Sequence, residues 1–513
     1  MSSLSGMLQR AERQFADRPA MVDALGSVTW REHVARVARG AGALAALGLR
    51  AGQRFAVLAP NSWRQAEMLH AGYWAGITPV PVNTRLAPPE IADILADADC
   101  AAVFVDPACA ALLDAPELAL WRDRQIAFDA AAHDQRLAGA VPLPPVPRRA
   151  DDEALLLYTG GTSGRAKGVP LGHGQILSNA MQVGLAWPAA DDDIALHVAP
   201  MFHSADLVMG AITLRGGAHA YLPRFTPDDF LSAIQTLRIT VTMTVPTMLM
   251  MTLGSGLVGQ FDLSSLRRLL YGASPMGRDW IARVAQALPG VGLTQGYGLT
   301  ETAPILAMLD AEAHRQALQG IKPERLLSCG RALPGVALDI VADDGCVLGV
   351  GLAGEIVARG PNVFNGYLGA AALSAAAFSD AGFRTGDVGM MDADGFVTLL
   401  DRRKDVVISG GENVYSGEVE AALASHPDVA EVAVIGVPHA TYGEAVLAVV
   451  VPRAGSQPTL DDLRAHCRAG IAGYKLPRQL ALVAQLPRTA MGKVHKPSLR
   501  QTYAAALAPP GQD

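Results

Sequence analysis

Hydrophobic and polar positions alternate between two periodicities along the first part of the chain. Continuous apolar runs predict buried strands in RFAVLAPNS from Arg54, ITPVPVN from Ile77 and AAVFVD from Ala101. Apolar residues at helical spacing separate these runs, in WRQAEMLHAGYWAG from Trp63 and APPEIADILADAD from Ala87. Strands that alternate with helices are typical of parallel βαβ units wound into a sheet.

The pattern changes twice farther along the chain. A polar, proline-rich stretch, 141–153, predicts a connector, and the buried strand ALLLYTGG follows it directly. Near residue 400 the runs become shorter: GFVTLL, EVAVIGV and AVLAVVV predict strands, and SGEVEAALASH and DLRAHCRAG predict helices. A small α+β domain fits this last segment. We therefore expect an α/β protein with a large N-terminal part and a small C-terminal part.

Two apolar segments resemble targeting or membrane elements at first sight. At the N-terminus, Leu8, Ala11 and Phe15 recur at helical spacing among charged residues, which predicts an amphipathic helix and not a secretory signal. The stretch 241–259 approaches membrane-spanning length, but Pro246 and several glycines interrupt it and no basic flank anchors it. A buried strand, a turn and a helix are expected there.

Composition narrows the functional class. The chain has 513 residues, half of them hydrophobic, and a formal net charge of −7. This length predicts roughly two to four domains. The negative charge argues against nucleic acid as a main partner, because phosphate binding needs clustered lysine and arginine. The five cysteines match neither zinc nor redox spacing, so free thiols in a reducing cytoplasm are expected.

A glycine-rich loop follows the strand that ends the connector. It reads Tyr158-Thr-Gly-Gly-Thr-Ser-Gly-Arg-Ala-Lys-Gly168 and is not a Walker A loop, because no Gly-Lys-Ser/Thr ends it. Glycines let backbone N–H groups approach an anion closely, and the hydroxyls and the lysine add donors and a charge. The candidate phosphate-binding residues are Thr159, Gly160, Gly161, Thr162, Ser163, Gly164 and Lys167. Such a loop alone is often only a flexible turn, but its place directly after a buried strand favours a phosphate site.

Four further motifs follow in order. They are Gln295-Gly-Tyr-Gly-Leu-Thr-Glu301, Phe383-Arg-Thr-Gly-Asp387, Asp401-Arg-Arg-Lys-Asp-Val-Val-Ile-Ser-Gly-Gly-Glu-Asn413 and Pro487-Arg-Thr-Ala-Met-Gly-Lys493. With the loop, they resemble the adenylate-forming enzymes, which include acyl-CoA synthetases, peptide-synthetase adenylation domains and firefly luciferase. The resemblance covers essentially the whole chain. The segment ISGGENVYSGEVE is most similar to fatty-acyl and aryl-acyl CoA ligases.

The resemblance implies a fold and a reaction. The fold would be a large domain of wound βαβ sheets with a β-barrel-like subdomain, 1–403, and a small mobile α+β domain, 404–513, with a hinge at Lys404. The reaction would form acyl-AMP and pyrophosphate from ATP and a fatty or aromatic acid, with Mg²⁺. The acyl group would then pass to coenzyme A, and AMP would be released.

Roles in nucleotide binding also follow from the resemblance. The glycine-rich loop would hold the β- and γ-phosphates. The residues implied around adenine are Tyr297, which would stack on the base, with Gly296, Gly298, Gly272, Ala273 and Ser274.

Four further residues would contact the rest of the nucleotide. By the same resemblance, Thr300 would contact the α-phosphate, and Glu301 would bind Mg²⁺. Asp387 would accept both ribose hydroxyls, since a carboxylate has paired acceptor sites that match a cis-diol. Arg402 would reach the ribose or a phosphate.

Lys493 is the catalytic lysine that the resemblance implies. Because the attacking carboxylate and the α-phosphate are both anions, a lysine that bridges them stabilises the transition state. Lys496, three residues on, is expected to be an ordinary solvated lysine. In the second half-reaction the turn Ser409-Gly410-Gly411 would face the pantetheine channel, where glycines let a thin arm pass close to the backbone.

The acyl pocket has weaker support. His203, in the segment PMFHS, aligns with a family position near the substrate carboxylate and is counted with the catalytic candidates. Val245, Met248 and Met250 would lie near the acyl tail, because soft side chains suit an adaptable apolar pocket. Plain core packing explains these three residues equally well.

Two departures from the family pattern keep alternatives open. Gly160 stands where the family usually has a serine, and Asp206 is unexpected beside an apolar pocket. Asp206 either has a structural role or binds an ammonium group of the substrate. The second possibility supports an alternative function, in which the enzyme loads an acyl or amino acid onto a carrier protein. An inactive binding homologue is a third hypothesis. No nucleic acid and no transmembrane segment are expected, and peripheral membrane contact and a homodimer are left open.

Overall fold

The protein is described by a computed structural model that covers residues 2–159, 166–274, 276–409, 412–439, 442–468, 471–489 and 492–506, with backbone alone at 412, 413, 443 and 504–506. Contacts divide the chain into two units. Unit 1 is Met1–Leu338 with Ala358–Phe383, and unit 2 is Asp339–Val357 with Arg384–Asp513. The expected α/β class, with a large N-terminal and a smaller C-terminal part, is confirmed. The boundary between residues 403 and 404, the barrel-like subdomain and the mobility of the small domain stay predictions.

The helices and strands have the following bounds. The α-helices are α1 (Leu4–Phe15), α2 (Trp30–Ala46), α3 (Trp63–Ala75), α4 (Pro88–Asp97), α5 (Ala130–Ala138), α6 (His173–Ala186), α7 (Gly210–Arg215), α8 (Pro227–Thr236), α9 (Pro246–Gly254), α10 (Arg278–Ala287), α11 (Ala311–Leu318), α12 (Ala371–Ala377), α13 (Ser416–Ala424), α14 (Leu460–Cys467) and α15 (Lys496–Ala506). The strands are β1 (Pro19–Asp23), β2 (Gly26–Thr29), β3 (Arg54–Leu58), β4 (Thr78–Pro81), β5 (Cys100–Val105), β6 (Gln125–Ala127), β7 (Glu153–Thr159), β8 (Lys167–Gly172), β9 (Ile194–His197), β10 (Ala218–Tyr221), β11 (Val241–Thr244), β12 (Arg268–Gly272), β13 (Gly292–Tyr297), β14 (Ala307–Leu309), β15 (Arg331–Ala332), β16 (Ala337–Val341), β17 (Gly354–Arg359), β18 (Phe378–Ser379), β19 (Gly382–Met391), β20 (Val397–Arg402), β21 (Val407–Ser409), β22 (Glu412–Val414), β23 (Val429–His439), β24 (Gly443–Pro452) and β25 (Gln479–Leu482). Short 3₁₀ helices are Pro107–Asp114, Pro116–Arg124, Ser204–Met209, Val258–Gln260, Thr300–Thr302, Pro323–Leu327, Arg403–Asp405 and Gly473–Lys475.

Unit 1 contains two sheets of the predicted parallel kind. One runs in the order β15-β14-β13-β12-β11-β9-β10-β1-β2, and its strands from β13 to β1 are parallel. The other, β4-β3-β5-β6, is parallel throughout. Strands β7 and β8 form a separate antiparallel hairpin. The βαβ organisation predicted from the alternating periodicities is confirmed.

Local chemistry explains where these elements begin and end. The apolar run of β3 is buried from Phe55 onward, as a strand covered on both faces must be. Ser62 caps the start of helix α3, because its hydroxyl accepts a hydrogen bond from the Gln65 N–H. Gly76, in the left-handed conformation, caps the end of the helix. The predicted N-terminal helix buries Leu8 and Ala11. The apolar stretch 241–259 forms β11, a turn and α9, as expected. Among the described residues no helix is both long and apolar enough to cross a bilayer.

Unit 2 has its own core around the sheet β22-β21-β24-β23, with β25 paired to β24. Valines on alternate positions of β23 and β24, such as Val434 and Val446, pack on Leu423 of α13. Strands β19 and β20 pair antiparallel, so that Asp387 lies opposite Arg402. This pairing brings two predicted site residues, distant in sequence, to one place.

A buried carboxylate anchors the start of β9 in unit 1. Asp193 has no exposed side-chain surface and accepts hydrogen bonds from the Ala190 N–H, the Thr240 hydroxyl and the guanidinium groups of Arg267 and Arg268. Its neighbour Asp192 also pairs with Arg267, but its side chain is 68% exposed. Two adjacent aspartates therefore share a partner and differ in burial.

We expect Asp193→Ala to lower the free energy of unfolding by about 3–5 kcal/mol, because it leaves two arginines without their buried counter-charge. Asp192→Ala, the matched control, should cost less than about 1 kcal/mol, because solvent screens its ion pair. Urea denaturation followed by intrinsic fluorescence measures both. Similar losses in the two variants would contradict the role of burial.

Candidate functional site

The parallel strands of unit 1 present their carboxyl ends at one edge. In sheet order these ends are Tyr221, His197, Thr244, Gly272 and Tyr297. Ligands of α/β sheets bind outside the carboxyl ends of the strands. The edge therefore defines the region in which a site of unit 1 is expected, and it holds the predicted adenine residues at one end.

At the ends of β12 and β13 the backbones of two glycines approach each other closely. Gly272 pairs with Gly296, and a Cβ on Gly272 would lie only 2.4 Å from the Gly296 carbonyl oxygen. Ala273 follows in the left-handed conformation (φ +66°) and is exposed. Such strain is kept where the surrounding structure enforces it, and it is enriched at ligand sites. The two strands therefore come together here with no side chain between their backbones.

Tyr297 lies at the end of β13, buried beside this backbone. Gly298 follows, where a Cβ would lie 1.9 Å from the Pro304 carbonyl oxygen. Ser274 is partly buried one residue beyond Ala273. The structure thus brings together the whole predicted adenine set from two separate segments of the chain.

Tyr367 connects two predicted phosphate-site residues. Its hydroxyl donates to the Glu301 carboxylate at 3.0 Å, and the Lys167 ammonium lies 5.1 Å from the centre of its ring. Burial and the charge of Glu301 raise the pKa of Tyr367, so the phenol stays a hydrogen-bond donor. The Leu368 N–H also donates to the Gly168 carbonyl oxygen at 2.9 Å. These contacts tie the β7–β8 hairpin to the segment that carries Glu301.

The rest of the glycine-rich loop lies outside the described residues. This applies to Gly160, Gly161, Thr162, Ser163 and Gly164. Thr159 pairs with Lys167 where β7 and β8 meet the loop. The ends of the loop are thereby placed at the base of a hairpin.

The predicted metal ligand is a single buried carboxylate. No group of three or more potential metal ligands occurs within the described ranges. Mg²⁺ is commonly held by one or two carboxylates together with substrate phosphates. Glu301, an oxygen ligand close to Thr300, fits that kind of site. The Thr300 hydroxyl lies 3.2 Å from the Ser204 hydroxyl.

In unit 2 the predicted ribose and catalytic residues lie close together. The Arg402 Nε donates to Asp387 at 2.8 Å, and the Asp387 N–H donates to the Thr385 hydroxyl. Residue 493 as a whole is exposed, yet protein around the ammonium group desolvates it. This desolvation and the charge of Arg402 lower the pKa of Lys493, and the charge of Asp387 opposes the shift. Lys493 is thus within electrostatic reach of the Asp387–Arg402 pair.

The predicted hinge and CoA turn are only partly described. Lys404 lies in the 3₁₀ helix Arg403–Asp405, between Arg403, which pairs with Glu355, and Asp405, which pairs with Arg500. Ser409 is buried at the end of β21. The two glycines that follow it, Gly410 and Gly411, lie outside the described residues.

The expectation of a solvated Lys496 is wrong. Its side chain is 15% exposed, and its ammonium lies 2.7 Å from the Glu420 carboxylate and donates to the Ser416 hydroxyl. Burial raises the pKa of Glu420, and Lys496 opposes this shift. A buried carboxylate requires a nearby cation, and helix α15 supplies it. Ser416 in turn donates to Asp401, so Lys496 belongs to a structural network.

Two of the acyl-pocket candidates, Met248 and Met250, pack against the core, whereas His203 and Val245 are partly buried outside that cluster. His203 is partly buried beside Phe202, with their ring centres 4.6 Å apart. Val245 is partly buried at the start of α9. Met248 and Met250 pack against the apolar core around Phe230, which favours a packing role for these two methionines.

Sequence reasoning missed Tyr367 and Ser204. Tyr367 stands in Asn-Gly-Tyr-Leu-Gly and, like Tyr297, directly follows a glycine, which was the available signal. Ser204 had no signal of its own, because its contact with Thr300 depends on the fold. The five cysteines are free thiols, as expected.

Comparisons with known proteins agree over nearly the full chain. The profile of the AMP-binding enzyme family matches residues 8–368, and that of the AMP-binding enzyme C-terminal domain matches 418–493. A feruloyl-CoA synthase from Amycolatopsis is 38% identical, covering 93% of this chain and 94% of the relative. An indoleacetate–CoA ligase from Aromatoleum aromaticum is 39% identical, covering 91% and 92%. The crystal structure of ATP-bound MatB from Rhodopseudomonas palustris has a TM-score of 0.87 at 32% identity, covering 99% and 100%.

The environment of Lys493 predicts opposite pKa changes in two variants. Arg402→Gln removes a neighbouring positive charge, so the pKa of Lys493 should rise. Asp387→Asn removes a negative charge, so that pKa should fall further below its usual range. Competitive labelling with an amine-selective acylating reagent across the alkaline range, read by mass spectrometry, gives the midpoint for Lys493. Equal midpoints in both variants would show that neither charge reaches the lysine.

Proposed function

The chain belongs to the AMP-binding enzyme family, and on that premise we propose that it is an ATP-dependent acid–CoA ligase. It activates a carboxylic acid as an acyl-adenylate with release of pyrophosphate, and then transfers the acyl group to coenzyme A with release of AMP. The observation that carries this proposal is the edge of unit 1 at which separate segments bring Gly272, Tyr297, Thr300 and Glu301 together.

ATP occupies this edge in our proposal. Adenine lies against the bare backbone of Gly272 and Ala273, with Tyr297 as its stacking partner. Thr300 contacts the α-phosphate, and Lys167 and the loop before it hold the outer phosphates. Contacts between Tyr367, Lys167 and Glu301 support this assignment, because they fix a cation and an anion within one cluster.

Glu301 is the proposed ligand of Mg²⁺. The ion, when bound with ATP, neutralises phosphate charge. Tyr367 keeps one carboxylate oxygen of Glu301 in a hydrogen bond and thereby orients the other. The chain supplies orientation, and the phosphates complete the coordination.

Lys493 acts in the first half-reaction in this proposal. An oxygen of the substrate carboxylate attacks the α-phosphorus, and the bond to pyrophosphate breaks. The ammonium stabilises the charge of both anions as they approach, while Asp387 holds the ribose hydroxyls. The closeness of Lys493 to the Asp387–Arg402 pair supports this role, because it puts the lysine beside the proposed ribose site.

The second half-reaction uses a different part of unit 2. The CoA thiol attacks the acyl carbonyl carbon, and the bond to AMP breaks. We propose that a change at the hinge residue Lys404 withdraws Lys493 and directs the turn after Ser409 toward the pantetheine arm. The position of Ser409 at the end of a short hairpin strand is compatible with that role.

The proposed substrate is an aromatic carboxylic acid, with a fatty acid as the second candidate. Relatives that act as a feruloyl-CoA synthase and an indoleacetate–CoA ligase support the first choice. A relative from Thermus thermophilus, a long-chain-fatty-acid–CoA ligase at 34% identity, supports the second. The free cysteines support a cytoplasmic location, because thiols persist in a reducing compartment.

An acid panel tests the function. Purified protein is given ATP, Mg²⁺ and ferulate, indoleacetate or palmitate, and AMP release is measured with and without free CoA. We expect CoA-dependent AMP release with an aromatic acid. Pyrophosphate exchange without a CoA thioester would favour the carrier-protein alternative, and no exchange with any acid would favour the inactive homologue.

Lys493→Ala should separate the two half-reactions. We expect adenylation, measured by ATP–pyrophosphate exchange, to fall by about two to three powers of ten. Thioester formation from presynthesised acyl-AMP should be largely retained. Lys475→Ala is the matched control, since this lysine of the same unit pairs with Glu418 at 2.7 Å and lies over the Tyr474 ring, so that its loss should affect both steps alike. Equal losses in both steps for Lys493→Ala would overturn the assigned role.

A further inference from the structure

A chain of buried polar side chains lies under the 3₁₀ helix that follows His203. Asp206, in that helix, contacts the His197 Nδ1 at 2.5 Å. The His197 Nε2 lies 2.9 Å from the His219 Nδ1, and the His219 Nε2 lies 3.0 Å from the Thr213 hydroxyl. No step of the proposed reaction uses these groups.

When Asp206 is ionised, the donors and acceptors in the series Asp206–His197–His219–Thr213 can be assigned in only one direction. A carboxylate only accepts, so His197 donates from Nδ1 and, when neutral, accepts at Nε2. His219 then donates to His197 and accepts from the Thr213 hydroxyl. Burial and the neighbouring histidines lower the pKa of His219, which keeps its ring neutral. These hydrogen bonds therefore hold the Asp206 carboxylate in one orientation.

One oxygen of Asp206 is left for another donor. Within the described part of the chain, Oδ2 accepts no hydrogen bond, and the side chain is 15% exposed. Besides His197, which contacts Oδ1, the titratable groups around it are His70, Tyr73 and Tyr221. Burial lowers the pKa of His70 to about 4, and burial with the charge of Asp206 raises the pKa of both tyrosines. His70 is therefore neutral at physiological pH, and neither tyrosine carries a positive charge.

The position of Asp206 places it next to the proposed acyl site. Ser204, two residues earlier in the same 3₁₀ helix, contacts Thr300. Two residues of such a helix rise by about 4 Å. His197, below Asp206, ends β9, and β11 alone separates it from β12, which ends at Gly272. Asp206 and Thr300 therefore lie at the same edge of the sheet.

We propose, on the basis of the proposed function, that Asp206 is a specificity-determining residue whose Oδ2 accepts a hydrogen bond from a hydroxyl, N–H or ammonium group at the end of the acid remote from the carboxylate. Such an acid gives Oδ2 a hydrogen-bond donor, whereas an acid without the donor leaves Oδ2 without a partner in the bound state. A site built for a hydrogen bond rejects an analogue that lacks it more strongly than an apolar pocket rejects an extra group.

Matched acids test this inference with wild-type protein. The pairs are para-hydroxycinnamate and cinnamate, para-hydroxybenzoate and benzoate, and para-hydroxyphenylacetate and phenylacetate, each measured by kcat/KM for CoA-dependent AMP release. The hydroxylated member should be preferred by about 10- to 100-fold in at least one pair, the range for a hydrogen bond to a charged group. A para-aminomethyl series distinguishes an ammonium donor from a neutral hydroxyl.

Variants at residue 206 separate recognition from folding. Asp206→Ala should reduce the preference to about one, because no acceptor remains. Asp206→Asn keeps an oxygen for His197 and presents its N–H₂ to the ligand, so para-methoxycinnamate should gain relative to para-hydroxycinnamate. Asp123→Ala, which removes an exposed carboxylate of unit 1, is the matched control and should keep the wild-type preference.

Three results would overturn the inference. In the first, the wild-type protein has nearly the same kcat/KM for both acids of every pair. In the second, Asp206→Ala lowers kcat/KM equally for both acids of a pair. In the third, the wild-type protein converts no acid that carries a donor. CoA-dependent AMP release from the unsubstituted acids would show in each case that the proposed function stands. Absence of CoA-dependent release from every acid would instead count against the proposed function itself.

Discussion

The close approach of two strands at Gly272 and Gly296 is the constraint on which the site of unit 1 depends. A Cβ at Gly272 has no room beside the Gly296 carbonyl oxygen, so the two strands approach closely only because residue 272 is glycine. The chain leaves β13 at Tyr297 and turns at once into the segment that carries Thr300 and Glu301. A side chain at Gly272 would push β13 away from β12 and would thereby alter where β13 ends. The residues proposed to bind the base and the phosphates therefore depend on one local geometry.

Polar partners fix the charged residues of both units before any ligand arrives. Tyr367 holds Glu301, and Arg402 holds Asp387. Groups that are already oriented lose little freedom when a transition state forms, and this preorganisation is the main source of electrostatic catalysis. Asp206 is oriented in the same way, through its hydrogen bond with His197, which in turn contacts His219. The protein places its charges through neutral or oppositely charged neighbours and not through solvent.

The sequence was sufficient for the elements that depend on local pattern. The parallel strands around β3, the helix that begins at Ser62 and the non-spanning apolar stretch near Pro246 all follow from periodicity and breaker residues. Lys496 shows the limit of such reasoning, because its environment comes from Glu420 and Ser416 in a distant helix. Tyr367 was overlooked for the same reason: its importance lies in contacts with Lys167 and Glu301, which only the folded chain brings together. The roles assigned to the site residues came from motif resemblance and stay predictions.

The surroundings of Lys493 change the properties of its ammonium group from those of a lysine in water. A lysine in water carries a strongly hydrated charge, and that hydration weakens its effect on a nearby anion. Protein around the ammonium group removes part of this hydration, and Arg402 adds repulsion, so the pKa of Lys493 is lowered. The same desolvation strengthens the attraction between the remaining charge and an anion, because the effective dielectric constant falls. An anionic ligand beside Asp387 and Arg402 would in turn favour the protonated lysine. Binding of the anion and protonation of the lysine therefore reinforce each other, which is the property that a reaction between two anions requires.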